Sequence, residues 1–175
     1  MSQSPNLETL ETNLRFCSTF NGCGVELPEA GRLDGKARPK VLLSDRHHAC
    51  ESIASFALEG LLGAILEGPA TGCAGNVHFL AVPFVDRDGV GDGDQGKNRR
   101  RRDHNRDYDG VSVYPSVSAI RKLAESWRPG ECRIALDLLC PALRGREHEE
   151  IHFVGGPMKE PWAHIERLSA ILESP

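Results

Sequence analysis

Val41-Leu42-Leu43-Ser44-Asp45-Arg46-His47-His48-Ala49-Cys50-Glu51-Ser52 decides how the chain is read. Its first three residues make a short apolar strand. Its last residues open the clearest helix of the sequence, over 51–67, where Ile53, Phe56, Ala57, Leu61, Ala64 and Ile65 recur at helical spacing. Gly68-Pro69 ends that helix. The junction between strand and helix carries His48 and Glu51 three residues apart, a spacing that lets an imidazole and a carboxylate face one point. Neutral imidazole nitrogen and carboxylate oxygen are both good zinc donors. The same two residues also suit a solvated helix start, with Glu51 near the positive end of the helix dipole.

Working outward, the order of segments is that of an α/β protein. Residues 13–31 hold short strand-like pieces split by Asn21-Gly22, a hairpin signal, and 33–40 form a turn. Residues 77–85 are a near-continuous apolar strand, the pattern of a strand buried on both faces. A polar loop follows over 86–110, and loops of that length usually carry function or are disordered. A helix over 115–127 places Val117, Ile120, Leu123, Ala124 and Trp127 on one face. Strands are expected over 133–139 and 151–154, and a last helix over 161–173. Strands alternating with helices imply a largely parallel sheet, with sites at the carboxyl ends of its strands. His48, the 86–110 loop and Leu139 all follow or end expected strands, so one cleft could hold them.

Ordered blocks across these segments carry a resemblance. Arg46-His47-His48-Ala49-Cys50-Glu51 resembles the R-x-H-x-x-E zinc motif of the zinc metallocarboxypeptidases, the family typified by carboxypeptidase A, especially of its cytosolic and bacterial branches. Val82-Pro83-Phe84-Val85-Asp86-Arg87-Asp88-Gly89 is similar to the family's P-x-x-N-x-D-G strand end. Asp103-His104-Asn105-Arg106 is similar to its D-x-N-R substrate clamp. Ala135-Leu136-Asp137-Leu138-Leu139-Cys140-Pro141 is similar to the D-x-H strand that brings the third zinc ligand. The resemblance covers roughly residues 20–155.

It implies a three-layer α/β domain over 13–175, after a loose stretch over 1–12. The sheet would be mixed and mostly parallel, with helices on both faces, and would lack the family's C-terminal strands. It implies zinc on His48 and Glu51, Arg99 as the oxyanion-stabilising arginine among the run 99–102, and Asn105 and Arg106 as the clamp for a terminal carboxylate. The implied reaction is hydrolysis of a C-terminal or amide-linked amino acid, and the implied partner is a peptide or amino-acid conjugate with a free carboxylate. Two departures bear on activity. Leu139 stands where the third zinc histidine belongs, and no counterpart of the general-base glutamate follows. The resemblance therefore also implies weak or absent zinc, and an alternative: an inactive relative that binds a carboxylate-ended peptide, or a fragment of a longer peptidase.

Other patterns have plainer readings. Arg99–Arg102 could be a solvated loop, and Asp103 and Asp107 among these arginines argue against nucleic acid. Asn105-Arg106 could cap a turn. Asp86, Asp88, Asp92 and Asp94 suggest calcium, but Val90 falls where a ligand is needed and no glutamate closes the loop. His104, His148 and His152 are the candidates to replace a third ligand. The net charge of −4 gives no general attraction to nucleic acid or acidic membrane. No apolar run approaches the ~20 residues of a membrane span, and no signal pattern opens the chain. Six cysteines without a C-x-x-C pair suggest reduced thiols in a cytoplasm. A sheet that ends early exposes a strand edge, from which a homodimer, poor solubility or an edge shielded by residues 1–30 is expected.

Overall fold

The computed structural model describes residues 15–68, 72–97, 99–127, 133–140, 153–154 and 159–172. Met1–Cys140 and Pro141–Pro175 form two compact units. In the first, β1 (Arg15–Ser18) and β2 (Gly24–Glu26) pair antiparallel as a hairpin. Gly22 in its turn has φ 81°, a conformation that glycine adopts at little cost. A four-stranded mixed sheet follows in the order β3 (Glu29–Gly31), β5 (His78–Val82), β4 (Lys40–Asp45), β6 (Arg133–Leu138). β5 and β6 both run parallel to β4, and β3 runs antiparallel to β5.

The sheet carries different partners on its two sides. Leu42, Leu80 and Val82 share a cluster with Val25 and Leu27 of the hairpin segment and with Val117, Ile120 and Trp127. The last three are the expected stripe of α3 (Pro115–Glu125) and its C-terminal extension. The alternate residues Leu43 and Ala81 meet Leu58 of α1 (Ser52–Glu67), while Phe79 meets Ile65. This is the period-2 alternation of a strand. β5 is buried at four of its five residues, as expected for a strand covered on both sides.

Two expectations need correction. The buried residues of α1 are Ala54, Leu58 and Ile65, whereas Ile53, Phe56, Ala57, Leu61 and Ala64 are exposed. Apolar residues lie nearly all round this helix, so periodicity alone does not choose its inner face. The 86–110 loop is not structureless. It contains α2 (Arg87–Asp92) and a 3-10 turn at His104–Arg106. β3, which the sequence did not mark as a strand of its own, pairs with β5.

In the second unit, α4 (Lys159–Leu172) falls within two residues of its expected limits. The strand expected at 151–154 lies partly outside the described residues, and Phe153 and Val154 are not in a strand. Among the described residues, no helix is long and apolar enough to cross a membrane.

Candidate functional site

Strand β4 delivers the site. Asp45, its last residue, is fully buried; its carboxylate accepts from Arg46 N at 2.5 Å and from Ser55 Oγ at 2.6 Å, tying the strand end to the first turn of α1. Burial pushes this carboxyl above the usual range. Arg46 then turns the chain with φ 59°, a left-handed conformation that costs a non-glycine residue about 1–2 kcal/mol. Arg46 O accepts from Asp86 N at 2.9 Å, and Asp45 O from Val85 N at 3.1 Å. These bonds join the end of β4 to the segment after β5, so the two carboxyl ends open on one site.

His48 and Glu51 meet there as expected. His48 Nδ1 lies 3.0 Å from Glu51 Oε1. The other ring nitrogen, Nε2, lies 2.9 and 3.0 Å from the two oxygens of Asp103. Asp103 also acts on its own segment. Its Oδ1 accepts from Asn105 N at 2.8 Å and caps the 3-10 turn that carries Asn105 and Arg106. One carboxylate therefore fixes both the imidazole and the turn with the expected clamp. Arg106 is exposed, and its side chain has no hydrogen bond or ion pair among the described residues. A guanidinium in that state is available to an incoming anion.

Arg99 is arranged differently. Its Nη2 lies 2.9 Å from each oxygen of Asp86, and its Nε lies 3.3 Å from Oδ2. Asp86 is buried, so this pair is a structural tie in the described conformation. No contact joins Arg99 to His48 or Glu51 among the described residues. Arg102 meets buried Asp107 at 3.4 Å. Asp107 also accepts from Val113 N and Tyr114 N, both at 2.9 Å, and so anchors the chain leading into α3.

Lys97 is the residue that sequence reasoning missed. Its ammonium sits 3.0 Å from Glu51 Oε1, and this bond with Glu51 raises its pKa. Its position depends on Gly96, with φ +85°. A Cβ at Gly96 would fall 2.5 Å from Ala49 N and 3.0 Å from His48 Cα. Cys50 N donates to Gln95 O at 3.3 Å beside it. The sequence signal was the glycine: only that residue permits so close an approach of two backbones.

His47 takes different partners from His48. Its Nε2 bonds Tyr108 Oη at 2.7 Å, and its Nδ1 lies 2.7 Å from Asp137 Oδ1, close enough for an ion pair but off the hydrogen-bonding axis. Asp137 also accepts from Ser44 Oγ at 2.9 Å, which locks β6 to β4. Burial raises the Tyr108 phenol above its ordinary range. His104 is not near the metal donors in any described contact. It stacks on Tyr114 with ring centroids 3.6 Å apart, and its Nε2 lies 3.8 Å from Asp86. His148 and His152 lie outside the described residues.

The donor set can now be tested against zinc. His48 Nδ1 and Glu51 converge, and buried Glu51 Oε2 has no hydrogen-bond partner, as a half-made metal site would require. Leu139, the residue that the resemblance sets at the third position, has a hydrocarbon side chain 40% exposed just after β6. Among the described residues, no group of three or more His, Cys, Asp or Glu side chains is arranged to hold a metal ion. Catalytic zinc sites ordinarily use three protein ligands. The residues described do not fit such a site.

No protein-family model and no curated protein matches the chain. Solved structures do. A metallo-carboxypeptidase from Burkholderia cenocepacia superposes with a TM-score of 0.61 at 24% identity, over 77% of this chain and 37% of that one. A metallo-carboxypeptidase from Pseudomonas aeruginosa, in complex with (2-guanidinoethylmercapto)succinic acid, gives 0.59 at 22% identity, over 73% and 35%. Carboxypeptidase A from Helicoverpa armigera gives 0.58 at 17%, over 76% and 41%. The fold is therefore that of the metallo-carboxypeptidases. The chain spans little more than a third of the length of those structures.

Proposed function

We propose that this chain is a metallocarboxypeptidase-like protein that takes a peptide or amino-acid conjugate by its free carboxylate, with hydrolysis of the terminal residue reduced to a trace. The observation that carries this reading is the double role of Asp103, which orients His48 and caps the turn bearing Asn105 and Arg106. That arrangement ties an expected metal donor to an expected anion clamp through one side chain. Arg106 supplies a guanidinium without a partner among the described residues, and Asn105 a neutral amide donor. The clusters on each side of the sheet support the three-layer arrangement that such a site uses.

Weak hydrolysis follows from the chemistry of the residues present. Leu139 cannot ligate, Arg99 is held by Asp86, and no described side chain stands as a general base for water. Loss of a general base alone costs about 10²–10⁴-fold. Zinc added to the protein would be held weakly by His48 and Glu51. The test has two arms. Calorimetry should find binding of a free-acid peptide and roughly tenfold weaker binding of its C-terminal amide, the ratio expected for one charge-assisted contact. Mass spectrometry of the same peptide incubated with zinc should find almost no released residue. Equal affinity for acid and amide would overturn the clamp, and rapid chelator-sensitive release would overturn the impaired site.

A further inference from the structure

We propose that Lys97 is the resident cation of the His48–Glu51 site, its ammonium filling the charge-neutralising role that a bound metal would otherwise take. This rests on the proposed function only in treating His48 and Glu51 as the metal donors of a carboxypeptidase-type site. The feature that carries it is a pattern across the 86–110 segment. Three carboxylates there or facing it are buried: Glu51, Asp86 and Asp107. Each has its own cation from the same segment. Lys97 meets Glu51 at 3.0 Å, Arg99 meets Asp86 at 2.9 Å and Arg102 meets Asp107 at 3.4 Å. A buried carboxylate without a counter-charge is strongly unfavourable. The segment supplies that counter-charge at each of these three buried acids, Glu51 included.

Geometry sets Lys97 in competition with a metal. His48 Nδ1 and Lys97 Nζ both lie 3.0 Å from the same oxygen, Glu51 Oε1. A divalent ion bonded to that oxygen and to Nδ1 would stand in the space facing the ammonium, and like charges at such range repel. The backbone that carries Lys97 is held close to the site, because Gly96 is packed on His48 Cα and Ala49 N and Gln95 O is bonded to Cys50 N. The chain is thus latched to the site on the residue just before the lysine. Leu139 agrees with this arrangement: where the cation is covalent, the end of β6 has no metal to ligate.

The experiment uses the full chain. Zinc binding is measured by calorimetry on wild type, Lys97→Met and Lys97→Arg, and thermal midpoints are recorded with a chelator and with excess zinc. Wild type should keep one midpoint in chelator and in zinc. Lys97→Met should bind zinc about tenfold or more tightly than wild type, the ratio carried by a charge-assisted bond to a buried carboxylate. Zinc should also restore the midpoint that Lys97→Met loses, whereas Lys97→Arg should stay zinc-insensitive. Wild type purified with one equivalent of zinc, or raised in midpoint by stoichiometric zinc, would overturn the proposal. So would Lys97→Met binding zinc no better than wild type. Lys97→Gln, a milder change, takes the place of Lys97→Met should that variant fail to fold, and the same comparison of zinc affinity with wild type then decides. The acid-versus-amide peptide comparison does not depend on Lys97, so failure there is distinguishable from failure here.

Discussion

Replacing Asp103 by alanine removes two bonds at once. The first is the contact of 2.9–3.0 Å to His48 Nε2, and the second is the 2.8 Å cap on Asn105 N. Hydrogen bonds to charged groups are worth about 1.5–3 kcal/mol, and a helix cap about 1. The Asp103 side chain is 23% exposed and that of His48 13%, so water recovers part of this loss. A net cost of about 2 kcal/mol follows, which for a domain of this size lowers the thermal midpoint by roughly 4–8 °C. The Asn105–Arg106 turn loses its cap in the same step, so affinity for a free-acid peptide should fall about tenfold. Asp103→Asn separates the two effects. Asparagine is a good cap and keeps the turn, but it gives up the charge facing His48. It should recover roughly half of the stability and most of the peptide affinity. Differential scanning fluorimetry and calorimetry on the two variants measure both quantities. An Asp103→Ala protein with unchanged midpoint and unchanged affinity would refute the claim that one carboxylate sets both elements.

Gly96→Ala should cost at least about 2 kcal/mol, from a left-handed alanine and a Cβ aimed at the Ala49 amide. Denaturant titration checks it, and a neutral effect would show that the 95–97 segment is not latched to His48. Burial lowers the pKa of His104 from 6.5 to about 4, so this ring folds neutral. The stability it supplies is present above pH 6.5 and is lost as the pH falls toward 4, amounting to about 3 kcal/mol. Urea titrations at the two ends of that window should show wild type losing more than His104→Gln; parallel losses would remove His104 as the cause. Leu139→His should raise zinc affinity at least about tenfold if the end of β6 faces His48. Equal calorimetric affinity in wild type and variant would mean that the position does not face the donors.

Much of the architecture was legible because its signals are local. Residues 77–85 read as a doubly covered strand, and β5 is one; the stripe Val117, Ile120 and Trp127 read as an inner helix face and is buried. The failures have physical causes. A helix as uniformly apolar as α1 gives no angular preference, and its inner face is chosen by Leu43, Ala81 and Phe79 across the sheet. Helix α2 contains two glycines, so propensity argues against it. It is held by its ends, with Asp86 accepting from Gly89 N and Gly93 in a left-handed cap, and those two residues were the available signal. In the site, the pairing of His48 with Glu51 follows from spacing of three. The pairings across long separations do not. Nothing local says that Asp103, 55 positions away, will face His48, or that Lys97 rather than Arg99 will reach Glu51.

Arg46 holds a further consequence. Its left-handed backbone is the elbow between β4 and the two histidines, and its carbonyl is bonded to Asp86 N. An arginine there is a stored spring: glycine at the same position would relax the twist while freeing the unfolded chain. The trade is between ease and aim. A relaxed elbow would let the His47–His48 pair swing, and the imidazoles would then be offered to Tyr108 and Asp103 in many orientations rather than one.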